Sequence, residues 1–197
     1  MEINYPDGAT PLDPEGLKGL IPTHIVNQTQ LDEWEYVNIL KAEKWAYEKK
    51  HKDIFTVSFL MSLHKKMFDD TWSWAGKFRK HQTNIGVEWH QIIEQTKLLC
   101  DDFRYHLVNN HFLADELALR FHHRLVLIHP FTNGNGRHAR IMANLLAKLQ
   151  GRPNFSFGLN SKLNSLTTTG KLRTTYLSAL KMADQGNFSN LISFSRS

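Results

Sequence analysis

Apolar residues recur at helical spacing along most of this 197-residue chain, and almost nowhere do they alternate as a half-buried strand requires. Leu31, Trp34, Val37 and Leu40 form one such stripe, led by Thr29 and Asp32 in the form of a capping box. Val57, Leu60, Met61, His64, Met67 and Phe68 mark a second helix, and Leu99, Phe103 and Leu107 a third. Leu117, Phe121, Leu125 and Ile128 mark a fourth. Ile141, Met142, Leu145, Leu146 and Leu149 mark a fifth, stopped by Gly151 and Pro153. Leu172, Tyr176, Ala179, Leu180 and Ala183 mark a sixth, ending near Gly186, and a short helix over 188–194, capped by Asn187, closes the chain. Only residues 78–89 resist: β-branched and aromatic side chains around Gly86 predict a short hairpin. The expected fold class is all-α, a helical bundle with a β-hairpin on its surface.

Hydrophobic residues make up 41% and charged residues 22%, which suits a packed core and excludes disordered, collagenous and coiled-coil classes. Four of the six prolines (Pro6, Pro11, Pro14, Pro22) fall in residues 1–26, interleaved with Gly8, Gly16 and Gly19. Residues 1–26 therefore read as an irregular N-terminal arm and 27–197 as one domain. The arm is either a tail laid over the domain or a regulatory lid. One cysteine, Cys100, allows no intramolecular disulfide and suits a reducing compartment. The polar, acidic start at Met1–Gly8 is not that of a signal peptide. The longest apolar run, near Leu125–Ile128, is far short of the ~18 residues of a membrane span. A cytoplasmic protein is expected.

Between the fourth and fifth stripes runs His129-Pro130-Phe131-Thr132-Asn133-Gly134-Asn135-Gly136-Arg137-His138-Ala139-Arg140. Pro130 should end the preceding helix at His129. Gly134, Asn135 and Gly136 are residue types that adopt positive φ readily, so their amides can form a concave anion nest. The next helix begins at once, and its N-terminal amides and positive dipole end point the same way. Arg137 and Arg140 lie three apart on its first turn, where a cation costs dipole energy unless an anion is bound. Polyphosphate fits a nest with forked guanidinium groups beside it. His129, adjacent, can take the proton of an attacking hydroxyl. The residues alone thus suggest transfer of a phosphate-linked group onto an alcohol.

This loop resembles the signature of the Fic (Fic/DOC) family, His-Pro-Phe-x-(Asp/Glu)-Gly-Asn-Gly-Arg-x-x-Arg, and matches its eight strictly specified residues. Trp74-Ala75-Gly76-Lys77-Phe78-Arg79 resembles the segment before the family's target-docking flap. Arg173-x-x-Tyr176 and Ala183-Asp184 resemble its C-terminal helix. The chain is also similar to the subfamily called mobile mystery protein B. The resemblance implies a protein adenylyltransferase that joins AMP from ATP to a Tyr, Thr or Ser hydroxyl and releases pyrophosphate. It makes His129 the general base and Phe131 the anchor of the loop. Gly134, Asn135 and Gly136 would bind the α- and β-phosphates, Arg137 the β-phosphate side, and Arg140 the γ-phosphate. Asn84, Ile85, Gly86 and Val87 would be the flap that pairs with an extended target segment. Asn133 stands where the family has the Mg²⁺-binding acid. A neutral amide oxygen is a weaker ligand for a hard cation, so Mg²⁺ would be held mainly through ATP phosphates and the metal dependence would be weakened.

In the family a glutamate in the pattern (Ser/Thr)-x-x-x-Glu-(Gly/Asn) blocks the γ-phosphate site. Thr29 and Glu33 fit in part, with Trp34 in place of Gly or Asn. Internal inhibition by Glu33 and restraint by a separate antitoxin-like or helix-turn-helix partner are the two options. The rival functions are a phosphotransferase of the same fold, a nucleotide-binding pseudoenzyme suggested by Asn133, a nucleic-acid module suggested by the pI of 9.3, and a zinc site among His122, His123, His129 and His138. Charge weighs against the nucleic-acid reading. The net +5 hides a split: residues 1–116 hold 13 basic and 18 acidic residues, whereas 117–197 hold 11 basic residues and one acid, Asp184. The positive field surrounds the phosphate loop. Any carboxylate for Mg²⁺ or for inhibition must come from the first 116 residues, from Asp184, or from another chain.

Overall fold

The computed structural model of the chain describes residues 11–48, 51–158, 166 and 170–197. Its helices, in order, are α1 (Pro14–Leu17), α2 (Gln28–Glu48), α3 (Val57–Phe68), α4 (Ile92–Val108), α5 (Ala114–Ile128), α6 (Asn135–Leu149), α7 (Lys171–Asp184) and α8 (Ser189–Arg196). A single 3₁₀ turn, Trp89–Gln91, leads into α4. The fold is all-α, as the periodicity requires. α5 and α6 form the most extensive helix pair; α4 covers α5, α2 lies on α3, and α7 pairs with α8. Leu60, Leu63, Met67 and Phe68 of α3, Phe121 and Leu125 of α5, and Met142 and Leu146 of α6 are fully buried where these helices meet. α3 starts at Thr56, whose hydroxyl accepts from the Phe59 amide at 3.0 Å. At the far end, Phe188 rather than Asn187 is the N-cap of α8, though the Asn187 side chain still accepts from the Ser189 amide at 3.1 Å.

Helix α2 differs from its expected form in two ways. Its cap is Asn27, whose Oδ1 accepts from the Gln30 amide at 3.0 Å while Gln30 Oε1 accepts from the Val26 amide at 2.9 Å. That reciprocal box leaves Thr29 inside the first turn. The buried face is Leu31, Glu35, Asn38, Ala42 and Ala46, while Trp34, Val37 and Leu40 of the apolar stripe are 40%, 53% and 45% exposed. Polar contacts dock the helix: Asn38 donates to the Lys66 carbonyl at 3.1 Å and accepts from the Asp70 amide at 3.1 Å.

The expected hairpin is not formed. Among the described residues there are only isolated bridges, Leu20 with Trp72 and Phe78 with Phe131. Across 79–88 the backbone is instead gathered by one guanidinium. Arg79 donates from Nε to the His129 carbonyl at 2.7 Å, from Nη1 to His81 O at 2.9 Å and from Nη2 to Val87 O at 2.5 Å. The amides of Arg79 and Val87 bond Pro130 O and Ile128 O rather than one another's segment, so no cross-strand ladder is built.

Residues 1–10 of the expected arm lie outside the described residues. Over 11–26 the chain makes one helical turn, with Asp13 accepting from Gly16 N at 2.6 Å, and is laced to residues 71–74. Ile21 N donates to Thr71 O at 2.9 Å, Ser73 N to Gly19 O at 2.8 Å, and Trp74 Nε1 to Gly16 O at 3.0 Å.

Candidate active site

The α5–α6 connection is built on three buried rings. Phe131 is fully buried. His64 of α3 lies flat against it, centroids 3.7 Å apart and planes 16° apart. His138 of α6 meets it edge-on at 5.1 Å and Phe78 at 5.4 Å. His64 is also a strut for the backbone: its Nδ1 accepts from the Gly76 amide at 3.0 Å, which leaves Nε2 to donate to the Asn133 carbonyl at 3.0 Å. His138 Nε2 meets the Leu60 carbonyl at 3.0 Å. Burial holds both imidazoles neutral, His64 well below its ordinary 6.5 and His138 down to about 3.

α5 stops at Ile128, and His129 caps it in the left-handed region, φ 53°, ψ 58°. Such a conformation is uncommon for a residue with a Cβ and must be held from outside. Its amide bonds Leu125 O at 3.2 Å and its carbonyl accepts from Arg79 Nε. The ring Nδ1 lies 3.2 Å from the Val126 carbonyl, so Nδ1 carries the proton and Nε2 is the basic nitrogen. Burial lowers the pKa of His129 to about 4, with the Val126 carbonyl opposing and Arg79 adding to the fall. The ring is therefore neutral at physiological pH, the state a general base needs.

Gly134 N-caps α6 at φ 79°. A Cβ there would lie 2.5 Å from the Phe68 ring, so only glycine fits. The positive-φ run expected over Gly134–Gly136 is this one residue; Asn135 and Gly136 already belong to α6. The amides available to an anion are therefore those of the helix's first turn, which point outward from its N-terminus. Asn135 does not offer its side chain to a ligand. It is buried and clamps Phe131, accepting from the Phe131 amide at 2.9 Å and donating to its carbonyl at 2.8 Å. Arg140 reaches back to this end of the helix: a Cβ on Gly136 would lie 3.6 Å from its Nη1. Burial lowers the Arg140 pKa, opposed by Tyr176 and reinforced by Arg137 and Arg173. Tyr176 of α7 hydrogen-bonds Arg140, and its hydroxyl also meets His122 Nε2 at 2.9 Å. Arg137 and Arg140 thus share the N-terminal end of α6, with Arg173 near enough to Arg140 to lower its pKa further.

Arg137 is held by three elements. Nη1 pairs with Glu35 Oε2, Nη2 donates to Asn133 Oδ1 at 3.3 Å, and the guanidinium carbon sits 4.8 Å from the Phe68 centroid. The dipole conflict seen in the sequence is therefore answered by a carboxylate of the chain itself. Asn133 Oδ1 accepts from the Gly134 amide at 2.7 Å as well. With two donors on it, one of them cationic, this oxygen does not fit a Mg²⁺ ligand. Among the described residues no three His, Cys, Asp or Glu side chains group as a metal site.

Glu33 is not brought to this loop. It lines a separate surface cleft of about 320 Å³ with His24, Trp34, Val37, Lys41 and Asp70. Of the expected flap residues 84–87, Gly86 and Val87 lie at the His129 corner: Val87 N bonds Ile128 O at 3.3 Å, and a Cβ on Gly86 would stand 2.7 Å from the His129 Cβ. Sequence reasoning missed Glu35, the strut role of His64, and Arg79. The available signal for Glu35 was its place in the series 31, 35, 38, 42, 46, a 3.6-residue period interrupted by polar residues.

Comparison with known proteins places this geometry. Residues 54–147 match the family described as Fic/DOC family. The chain is similar to the protein adenylyltransferase fic-1 of Caenorhabditis elegans, 30% identical over 119 residues, covering 53% of this chain and 21% of that protein. It spans about a fifth of the length of such curated relatives. The solved structure of C. elegans Fic-1 (residues 134–508) superposes with a TM-score of 0.68 at 21% identity, over 91% of this chain and 51% of that one. BepC of Bartonella tribocorum, solved with bound AMPPNP, gives 0.65 at 20% identity over 87% of both chains. Among the described residues no helix is long and apolar enough to cross a membrane.

Proposed function

We propose that this chain, whose residues 54–147 match the Fic/DOC family, is a protein adenylyltransferase that moves AMP from ATP to a hydroxyl side chain of a target protein. The observation that carries this reading is a neutral His129, its Nδ1 on the Val126 carbonyl, set beside a helix N-terminus flanked by Arg137 and Arg140. The relatives named adenylyltransferases and the neighbour solved with AMPPNP support it. Nε2 of His129 takes the proton of the target hydroxyl. The oxygen bonds to the α-phosphorus, the bond from that phosphorus to the β-phosphate oxygen breaks, and pyrophosphate leaves. The first-turn amides of α6 face the α- and β-phosphates, Arg137 the β-phosphate side and Arg140 the γ-phosphate. The loop at Asn84–Val87, whose Gly86 abuts His129, aligns the target backbone. No step is assigned to Mg²⁺, because Asn133 Oδ1 already serves Gly134 N and Arg137.

Such an enzyme works in the cytoplasm, where ATP and its target meet. Glu33 lines a different cleft and does not reach the loop, which favours restraint by a separate small partner over restraint by Glu33. Incubation of the protein with α-labelled ATP and a cell lysate tests the reading. Label on a protein band, lost with His129→Ala, supports it; label that persists in the variant overturns the role of His129. The engaged Asn133 oxygen favours one second reading, a nucleotide-binding pseudoenzyme, which would bind ATP and transfer nothing.

A further inference from the structure

Glu35 lies outside residues 54–147, the stretch that matches the family, yet it touches the phosphate loop. It sits on the buried face of α2 and is 6% exposed. A carboxylate there is tolerated only if both oxygens are satisfied. They are: Oε1 accepts from Trp72 Nε1 at 2.6 Å and Oε2 from Arg137 Nη1. Trp72 is itself buried, so the acid is fixed from behind. On the other side, Arg137 is gripped by Glu35, Asn133 and the Phe68 ring, which come from α2, the loop and α3. Three contacts define the plane of a fork that has five N–H donors, so others remain to meet a ligand. An incoming phosphate that pulled Arg137 away would strand a buried carboxylate, which is strongly unfavourable. Arg140 is treated differently. The group that hydrogen-bonds it is the neutral Tyr176 hydroxyl, and among the described residues no ion pair joins it to a carboxylate.

We infer that Glu35 is a positioning residue for the nucleotide site: it orients and charge-compensates Arg137, leaving Arg140 as the uncompensated cation, and so makes α2 part of the active site. The inference rests on the AMP-transfer reading for the identity of the ligand. Calorimetry with AMPPNP, together with kcat and KM for ATP, tests it. Glu35→Gln keeps the shape and removes the charge. It should weaken AMPPNP binding by about tenfold, the loss expected when one charge-assisted hydrogen bond is disordered. KM should rise by a similar factor while kcat changes much less, because His129 is untouched. Glu35→Asp should recover part of the affinity. In an Arg137→Gln background, Glu35→Gln should have no further effect. Glu43→Gln, the same change elsewhere on α2, should leave affinity unchanged. Affinity unaltered by Glu35→Gln would make the pair purely structural, and tighter binding would mean that the carboxylate competes with phosphate; either overturns the inference. If Glu35→Gln does not fold, Trp72→Phe, which removes the donor behind the acid, is read against the same outcomes. A wild-type protein that does not bind AMPPNP overturns the AMP-transfer reading instead.

Discussion

The imidazole of His64 lies on the Phe131 ring at 3.7 Å while its two nitrogens tie Gly76 to Asn133. One side chain thus fixes the loop twice, by stacking and by bridging two backbone segments. Phe131→Ala should cost about 3–5 kcal/mol, as for a buried ring. His64→Ala should destabilise the chain and also strand the Gly76 amide. Chemical denaturation should show both, and nucleotide affinity should fall in any variant that still folds. Wild-type stability in Phe131→Ala would contradict this account of the loop.

Four buried histidines predict acid sensitivity. His64 lies well below its ordinary 6.5, His122 and His138 at about 3, and His129 at about 4. A depressed folded-state pKa means that the unfolded chain binds the proton first. Stability is therefore complete above about pH 6.5 and is lost as pH falls toward the folded values. Each histidine contributes a slope of about 1.4 kcal/mol per pH unit within that window. Melting temperatures taken from pH 8 to pH 5 should be flat at first and then fall steeply. The transfer rate, for the same reason, should show no ordinary histidine limb near 6.5. Such a limb, with the fold intact, would mean that another group is the base.

Gly134 combines a φ of 79° with a Cβ position 2.5 Å from the Phe68 ring. Gly134→Ala should cost about 1–2 kcal/mol from the backbone alone, and more from the clash. Gly136→Ala, whose Cβ meets nothing closer than Arg140 Nη1 at 3.6 Å, should fold normally and lose nucleotide affinity. Equal stability losses in the two variants would contradict this contrast.

Asn133 bears on the metal. With its oxygen held by Gly134 N and Arg137, AMPPNP affinity should change little when Mg²⁺ is replaced by a chelator. Asn133→Asp should introduce a clear Mg²⁺ dependence in the same titration. A strong dependence in the wild-type protein would show that the cation finds its ligands elsewhere.

Much of this was legible in the sequence. The 3.6-residue stripes place the helices because packing a helix face demands that period. His129–Arg140 marks the candidate site because glycine, a helix start and paired arginines fall together. Two parts were not legible, each because a tertiary contact overrode a local signal. α2 turns its polar series, Glu35 and Asn38, inward and leaves Trp34 and Val37 exposed, since the inward face serves Arg137 and the Asp70 turn. Residues 79–88 have strand-like composition, but Arg79 binds the His81 and Val87 carbonyls and the Arg79 and Val87 amides turn to residues 130 and 128. The charge split left three sources for a carboxylate serving Mg²⁺ or inhibition, namely the first 116 residues, Asp184 or another chain; it did not point to Glu35, which pairs with Arg137 instead.

The most direct test of the central claim is the mass of the group added to the target, measured on the modified protein with pyrophosphate quantified in the same reaction. The account predicts one adenylyl group on a Tyr, Thr or Ser hydroxyl and one pyrophosphate per group transferred, both abolished by His129→Ala. A single added phosphate with ADP as product, or nucleotide bound with nothing transferred, would contradict it.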